Sequence, residues 1–207
     1  MKIRIASILV VLLALQGCAT MNEQECVTGD WYAIGYEDGV QGRTADRIAK
    51  YRKACADHNV TPDFRAYQDG REEGLREFCQ PQIGFRVGQR GGSYSGICPA
   101  DLEPRFVSAF QEGKHLYGLR AQVNTTTNQI AYKKNELHEL EEELVHVGAA
   151  LLDSDATFEE KAILLVNAKD MARRQGELKH EILDLERDKA VYQDRLASYL
   201  HTIAYNY

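Results

Sequence analysis

The stretch GYEDG at residues 35–39 appears again as AYQDG at 66–70 and as AFQEG at 109–113. Each copy places a glycine or alanine four residues before a glycine, and residues four apart lie on one face of a helix. A row of residues with little or no side chain lets a second helix approach closely. Glycine inside a helix costs about 1 kcal/mol relative to alanine, so we expect close packing to offset this cost. The repeats therefore predict three helices of one small cluster.

The small residues of the repeats are expected to form grooves, and aromatic rings are expected to lie over the groove of a neighbouring helix. These rings are Tyr36, Tyr67 and Phe110, or alternatively their predecessors Tyr32, Phe64 and Phe106. Asp63 follows Pro62 and is placed to cap the second of these helices. The helix-packing residues of this prediction are Gly35, Tyr36, Gly39, Ala66, Tyr67, Gly70, Gly74, Ala109, Phe110 and Gly113.

From about residue 119 onward the chain has no proline and is rich in leucine, glutamate, lysine, alanine and glutamine. Apolar residues recur every seven positions with a second set between them, as at the a and d positions of a heptad repeat. After the polar break LDSDATFEE (152–160), Thr157 and Glu160 have the spacing of a capping box. We predict two helices, at about 104–152 and 157–204, that form an antiparallel coiled-coil hairpin with the third repeat at its base. The heptad residues include Leu116, Leu119, Val123, Ile130, Leu137, Leu140, Leu144, Val147 and Leu151 in the first helix, and Leu164, Ala168, Met171, Leu178, Ile182, Leu185, Tyr192, Leu196, Tyr199 and Ile203 in the second.

Near the turn of this hairpin, four consecutive apolar residues cannot all face one partner helix. They are Ile163, Leu164, Leu165 and Val166. Exposed apolar patches often mark interaction sites, so we predict an interface with a protein partner or a second copy of the chain. A locally thicker core and lengthwise dimerisation into four helices are the alternatives.

The first residues have the pattern of a secretory signal. Lys2 and Arg4 precede an apolar run at 5–15, which is shorter than the roughly 20 residues that a membrane-spanning helix needs. The run ends in LQGC (15–18), which resembles the lipobox of bacterial lipoproteins. We therefore expect residues 1–17 to be removed and Cys18 to carry acyl chains such as palmitate, the alternative being an incidental cysteine beside an ordinary cleavage site. Ala19 rather than aspartate follows the cysteine, which by the usual sorting pattern indicates the outer membrane, with the protein facing the periplasm.

The charge of the chain argues against nucleic acid as a partner. The formal net charge is -6, and it becomes about -8 once the signal with its two cations is removed. Proteins that bind phosphate backbones do so through clustered lysine and arginine.

The four cysteines after Cys18 are an even set in a chain expected to be exported, which favours disulfides over metal. They are Cys26, Cys55, Cys79 and Cys98, and none forms the close C-x-x-C pair typical of a metal site. Four cysteines allow three connectivities. We prefer the pair Cys79–Cys98, because it closes a glycine-rich loop, and this leaves Cys26–Cys55.

Catalytic and cofactor sites have little support in the sequence. Asp38, Asp69 and Glu112 occupy matching repeat positions, but no nucleophile–histidine arrangement accompanies them. The histidines show no H-E-x-x-H pattern, and no nucleotide-binding glycine motif is present. We expect no enzyme activity, no metal and no cofactor. The segment GFRVGQRGG (84–92), with Arg86 and Arg90, reads as a surface loop that is the best ligand-binding alternative.

These motifs together resemble a bacterial lipoprotein family known as domain of unknown function 2799. The resemblance covers about residues 18–120 and rests on the lipobox, on Trp31, and on the patterns G-Y-x-D-G-x-x-G, Y-x-D-G-x-x-x-G-L, GFRVGQRGGSYSGICP and F-x-E-G, with their cysteines. It implies an envelope lipoprotein and brings no activity with it. The heptad region lies outside it.

Two functions from different classes follow. The first is a structural or adaptor lipoprotein that contacts a protein through the coiled-coil hairpin. The second is an envelope binding module, made of residues 18–103, that recognises a cell-wall or lipid component through the glycine-rich loop with Arg86, Arg90 and Tyr94.

Overall fold

A computed structural model describes residues 21–204, and this part of the chain is all α-helical, without β-strands. The all-α prediction is confirmed for these residues. The predicted signal at 1–17, the predicted lipidation site Cys18 and residues 205–207 lie outside the described part. Two compact units make up the chain, and the boundary between them lies between Gly113 and Lys114.

Between residues 21 and 113, the first unit contains five complete helices and the start of a sixth. These are α1 (Glu23–Thr28), α2 (Trp31–Val40), α3 (Arg47–Ala56), α4 (Phe64–Phe78), α5 (Pro81–Gln89) and the beginning of α6 (Glu103–Leu151).

Polar caps begin several of these helices. The Asp30 carboxylate accepts hydrogen bonds from the first amides of α2, and the Asp63 carboxylate accepts them from the amides of Arg65 and Ala66, each at 3.0 Å. The predicted cap at Asp63 is therefore confirmed. Each carboxylate satisfies amide donors that have no partner within their own helix.

Two disulfides link the first unit, as expected. Cys26 bonds to Cys55 with a Cα–Cα distance of 5.5 Å, and Cys79 bonds to Cys98 with a Cα–Cα distance of 5.7 Å. This is the preferred connectivity. Each disulfide lies in its own apolar cluster, one around Trp31, Tyr51 and Tyr67 and the other around Leu75 and Phe106.

The glycine-rich loop prediction is wrong for residues 84–89, which are the greater part of helix α5. Pro81 occupies the first turn of this helix, where its missing amide hydrogen costs nothing. Gly84 and Gly88 are buried. Glycine has low helix propensity in isolation, but here packing against α6 outweighs that propensity. Between α5 and α6, residues 90–102 are without regular helix.

The second unit consists of the rest of α6 and of α7 (Phe158–Ile203). Thr157 and Glu160 form the predicted capping box at the start of α7. The two helices run antiparallel, because partners for successive residues of α6 come from earlier positions of α7. Lys134 contacts Glu186 at 2.7 Å, whereas Glu141 contacts Lys179 at 3.6 Å.

The inner faces of these two helices carry the heptad residues. Leu116, Ile130, Leu178 and Ile182 are buried. Towards the connection at 152–157 the heptad positions become half-buried, as at Leu144 and the other inner positions of that end. No helix within residues 21–204 is long and apolar enough to cross a membrane.

Candidate functional site

Helices α2 and α4 pack against each other where both carry glycines. Gly35 lies so close to α4 that an added Cβ would be 2.9 Å from the carbonyl carbon of Tyr67, and at Gly70 it would be 2.8 Å from that of Tyr32. Gly39 and Gly74 make equivalent backbone approaches one turn further along. The groove of each helix is therefore filled by the backbone of the other. This differs from the expectation that aromatic rings would lie over the grooves.

Helices α5 and α6 meet in the same way. An added Cβ at Gly84 would lie 2.5 Å from the carbonyl oxygen of Phe106, and one at Gly113 would lie 2.7 Å from the amide nitrogen of Gln89. The stretch GFRVG (84–88) is thus a fourth copy of the small-residue motif. Sequence reasoning missed it, although its glycines are four apart like those of the other copies.

The three repeats lie on three helices of the first unit, α2, α4 and α6, but their small-residue rows do not meet in one common contact. The first two repeats pair with each other, and the third pairs with the fourth copy in α5. The two helix pairs also align the repeats differently. Gly113 contacts α5 in the way that Gly74 contacts α2, and Phe106 lies beside Gly84 as Tyr67 lies beside Gly35. In its contacts, Gly113 of AFQEG therefore corresponds to Gly74, which lies one helical turn after Gly70 of AYQDG.

This register separates the three repeat carboxylates. Asp38 is buried in the α2–α4 pair, and Glu112 belongs to the α5–α6 pair. Asp69 lies on an exposed face of α4 and lines an open groove of about 450 Å3. The matching positions in the sequence therefore do not create a paired-carboxylate site.

Asp38 is only 5% exposed, and both of its carboxylate oxygens have partners. The Tyr67 hydroxyl donates to Oδ2 at 2.8 Å, the Tyr51 hydroxyl donates to the same oxygen at 3.0 Å, and Arg47 Nε lies 3.3 Å from Oδ1. Because these partners come from α3 and α4, the carboxylate ties three helices together. With these donors around it and almost no exposure to solvent, the carboxylate is used in packing and is not presented to a substrate.

The environment of Asp38 also changes the titration of its donors. Burial, followed by the hydrogen bond to Asp38, raises the pKa of the Tyr67 phenol well above its ordinary value. Burial likewise raises the pKa of Tyr51. Both phenols therefore stay protonated at neutral pH and remain hydrogen-bond donors.

Arg47 and Tyr51 were missed as partners of Asp38 at the level of the sequence. Their signal is the i, i+4 spacing of Arg47, Tyr51 and Cys55, which places them on one face of α3. Since Cys55 is buried in a disulfide, that face must point into the core.

The residues proposed for ligand binding near the former loop are partly used in packing. Tyr94 donates a hydrogen bond from its hydroxyl to Glu103 at 2.9 Å and accepts one from the amide of Cys98 at 3.0 Å. Its ring packs on Phe106. Arg86 and Arg90 are exposed on α5 and at its end. Among residues 21–204 no group of three or more metal-ligating side chains comes together.

The surface around the connection of α6 and α7 is unusually apolar. We call residues 139–166 the hairpin tip. Six large apolar side chains of the tip are between 57% and 90% exposed, namely Val145, Leu152, Phe158, Ile163, Leu165 and Val166. Leu164, the fourth predicted interface residue, is half-buried at a heptad position. It also lines an open groove of about 520 Å3 with Ile163.

Comparison with known proteins finds one family model that matches part of the chain. A search of the curated proteins and a search of the solved structures returned no match. Residues 30–115 match the model of a family described as protein of unknown function (DUF2799). The matched segment contains all four small-residue motifs and ends two residues after Gly113. Residues 30–115 are thus a DUF2799 segment, which makes up less than half of the chain.

Proposed function

We propose that this protein is a lipoprotein of the bacterial envelope that acts as a structural adaptor through the hairpin tip. The observation that carries the proposal is the exposure of the six large apolar side chains named above. Complete burial of such a side chain is worth about 1.5–3 kcal/mol. Because a chain without a partner gains nothing from this exposure, a protein partner is the simplest account of the patch.

The anchor in this proposal is a lipid on Cys18 in the outer membrane, with the protein facing the periplasm. The two disulfides are compatible with an oxidising compartment outside the cytoplasm. The lipobox-like LQGC stretch supports the lipid itself. Several acyl chains on one cysteine make a stable attachment, whereas a single chain does not.

The body of the adaptor in this proposal is an antiparallel coiled coil of α6 and α7. The burial of Leu116, Ile130, Leu178 and Ile182 at heptad positions supports it. Cross-helix ion pairs flank this seam, as between Arg174 and Glu136 at 2.6 Å. Such pairs set register more than they add stability, because they are partly exposed.

The alternative ligand site at residues 84–92 has less support. Of the glycines that were expected to cradle a ligand, Gly84 packs against Phe106 of α6 with no room for even a methyl group, and Gly88 is buried. An adaptor surface at the hairpin tip is therefore the better-supported function.

A photo-crosslinking residue at Leu165 in living cells tests the proposal. Leu165 is 59% exposed, and Leu183, at 61%, is a control of equal exposure on the same helix outside the tip. We expect an adduct with a different protein at position 165 and none at position 183. A self-adduct at 165 would instead make the tip an oligomer interface, and equal adducts at both positions would contradict a specific tip.

Polar substitutions give the functional test. Leu165→Ser combined with Val166→Ser removes apolar surface without touching a heptad position, whereas Leu183→Ser makes the same change elsewhere. With the crosslinking residue moved to Ile163, which is 57% exposed, we expect only the first variant to lose the adduct and to reproduce the cellular phenotype of a deletion, with unchanged far-UV circular dichroism. A tip variant that kept the adduct and behaved like the wild type in cells would refute the adaptor role.

A further inference from the structure

The hairpin tip is strongly acidic as well as apolar. Its eight carboxylates are Glu139, Glu141, Glu142, Glu143, Asp153, Asp155, Glu159 and Glu160, and all except the half-buried Glu141 are exposed. Lys161 is the single lysine or arginine among residues 139–166. An apolar partner of this surface must therefore come close to a dense negative field.

The carboxylates share helix faces with the exposed apolar side chains. Glu142 lies one turn before Val145, and Glu159 lies one turn before Ile163 and two before Val166. Glu159 forms no ion pair with any residue in 21–204, and Glu142 has only the neighbouring His138 at 3.4 Å. The negative charge around the apolar patch is thus largely uncompensated by the chain itself.

We propose that the occupant of the hairpin tip is a cationic amphipathic segment of another protein, with apolar side chains that cover the patch and lysines or arginines that meet its carboxylates. This inference rests on the adaptor function proposed above and specifies the chemistry of the partner. A cationic segment gains both from apolar burial and from complementary charge.

Charge complementarity also decides against two other occupants. A second copy of the tip would place carboxylates against carboxylates, which costs free energy at close range. An anionic lipid surface would be repelled for the same reason, since membrane-binding helices carry cations on their polar face.

The test uses the purified full chain and two synthetic peptides of about 18 residues, roughly five helical turns. Both have leucine on one helical face, and the other face is lysine in one peptide and glutamate in the second. Fluorescence anisotropy measures their binding between about 0.05 and 0.3 M NaCl, a range over which screening changes markedly. We expect the lysine peptide to bind, more weakly as salt rises, and the glutamate peptide not to bind.

Two matched charge variants separate the tip from net charge. Glu142→Lys with Glu159→Lys reverses two tip charges, and Glu37→Lys with Asp57→Lys reverses two exposed charges in the first unit. We expect the tip variant to raise the Kd of the lysine peptide about tenfold, the effect of losing two partly screened attractions. The control variant should leave the Kd within about twofold, because its charges lie outside the tip.

The outcomes distinguish this inference from the adaptor proposal. Equal weakening by both charge variants, or equal binding of the two peptides, would overturn the cationic partner. If the Leu165→Ser, Val166→Ser variant still bound the lysine peptide as the wild type does, the patch would not be a docking surface, and the adaptor proposal would fail with it. If that variant lost binding while Glu142→Lys with Glu159→Lys kept it, the adaptor would stand and the charge inference would fall.

Discussion

Gly70→Ala adds only one methyl group, but it should strongly destabilise the first unit. In the α2–α4 crossing, the new Cβ would lie 2.8 Å from the carbonyl carbon of Tyr32 and closer still to its oxygen. These are backbone atoms, so no side chain can rotate away. Because non-bonded carbon atoms prefer about 3.5–4.0 Å, the two helices must separate by about 1 Å.

The magnitude follows from two opposing terms. Overpacking a closely packed site costs about 1–3 kcal/mol or more. Alanine is better than glycine in a helix by about 1 kcal/mol. The separation also weakens the neighbouring contacts at Gly35, Gly39 and Gly74, which belong to the same crossing. We therefore take the overpacking cost near the upper end of its range, about 3 kcal/mol. After the gain in helix propensity is subtracted, the expected net loss in the free energy of unfolding is about 2 kcal/mol.

Trp31 provides the assay, since it is the single tryptophan of the chain and is buried in the first unit. Urea unfolding of the oxidised protein, followed by tryptophan fluorescence, reports on the unit that contains the crossing. With a typical slope of about 1–3 kcal/mol per molar urea, the midpoint should fall by roughly 1 M.

Gly176→Ala is the matched control, because a Cβ there meets no atom within 4 Å. It should be neutral or stabilising by up to about 1 kcal/mol, through helix propensity alone. Far-UV circular dichroism measures this change in the second unit. If Gly70→Ala left the fluorescence midpoint unchanged or raised it, the two backbones could not be in contact at the glycines, and the account of the crossing would be wrong.

Three further predictions concern the first unit. Gly84→Ala should destabilise the α5–α6 pair by about 1–2 kcal/mol through overpacking, seen as faster hydrogen exchange in α5, whereas a surface loop at 84–89 would tolerate the change. Asp38→Asn should cost about 2 kcal/mol, because Arg47 and the two phenols lose a charged acceptor, and an unchanged urea midpoint would mean that the hydrogen bonds to Asp38 add no stability. The raised pKa of Tyr67 adds stability that is complete below about pH 10, the ordinary tyrosine value, and is lost as pH rises above it. Tyr67→Phe should therefore lessen the fall in urea midpoint between about pH 9 and 11. Part of the fall should remain, because the pKa of Tyr51 is raised as well. An identical fall in the variant would show that Tyr67 does not titrate in this way.

Much of the fold followed from patterns within single segments. The heptads and the capping box at Thr157 placed the two long helices within a residue or two of their observed ends at Leu151 and Phe158. The acid before the second repeat marked the start of α4. These features are local: periodicity and capping depend on residues a few positions apart. The preferred cysteine pairing was also correct.

For the candidate site, too, some residues could be recognised from the sequence and others could be located only in the structure. The run Ile163–Val166 was recognisable as too apolar for one seam, and three of its four residues are more than half exposed. Leu164 differs because it occupies the heptad position and turns inward. The contributions of Val145, Leu152 and Phe158 to the exposed patch come from both sides of the connection and could be located only once the two helices were paired.

The sequence by itself indicated a helical fold for the described residues, glycine rows as helix contacts and disulfides among the four cysteines after Cys18. Only the tertiary structure decided which rows meet, that GFRVG is a fourth helix contact and that Asp38 is buried while Asp69 is exposed. The physical reason is that a motif specifies a face of a helix but not its partner. The partner is selected by backbone contacts between residues far apart in the chain, and these contacts outweigh the low helix propensity of glycine.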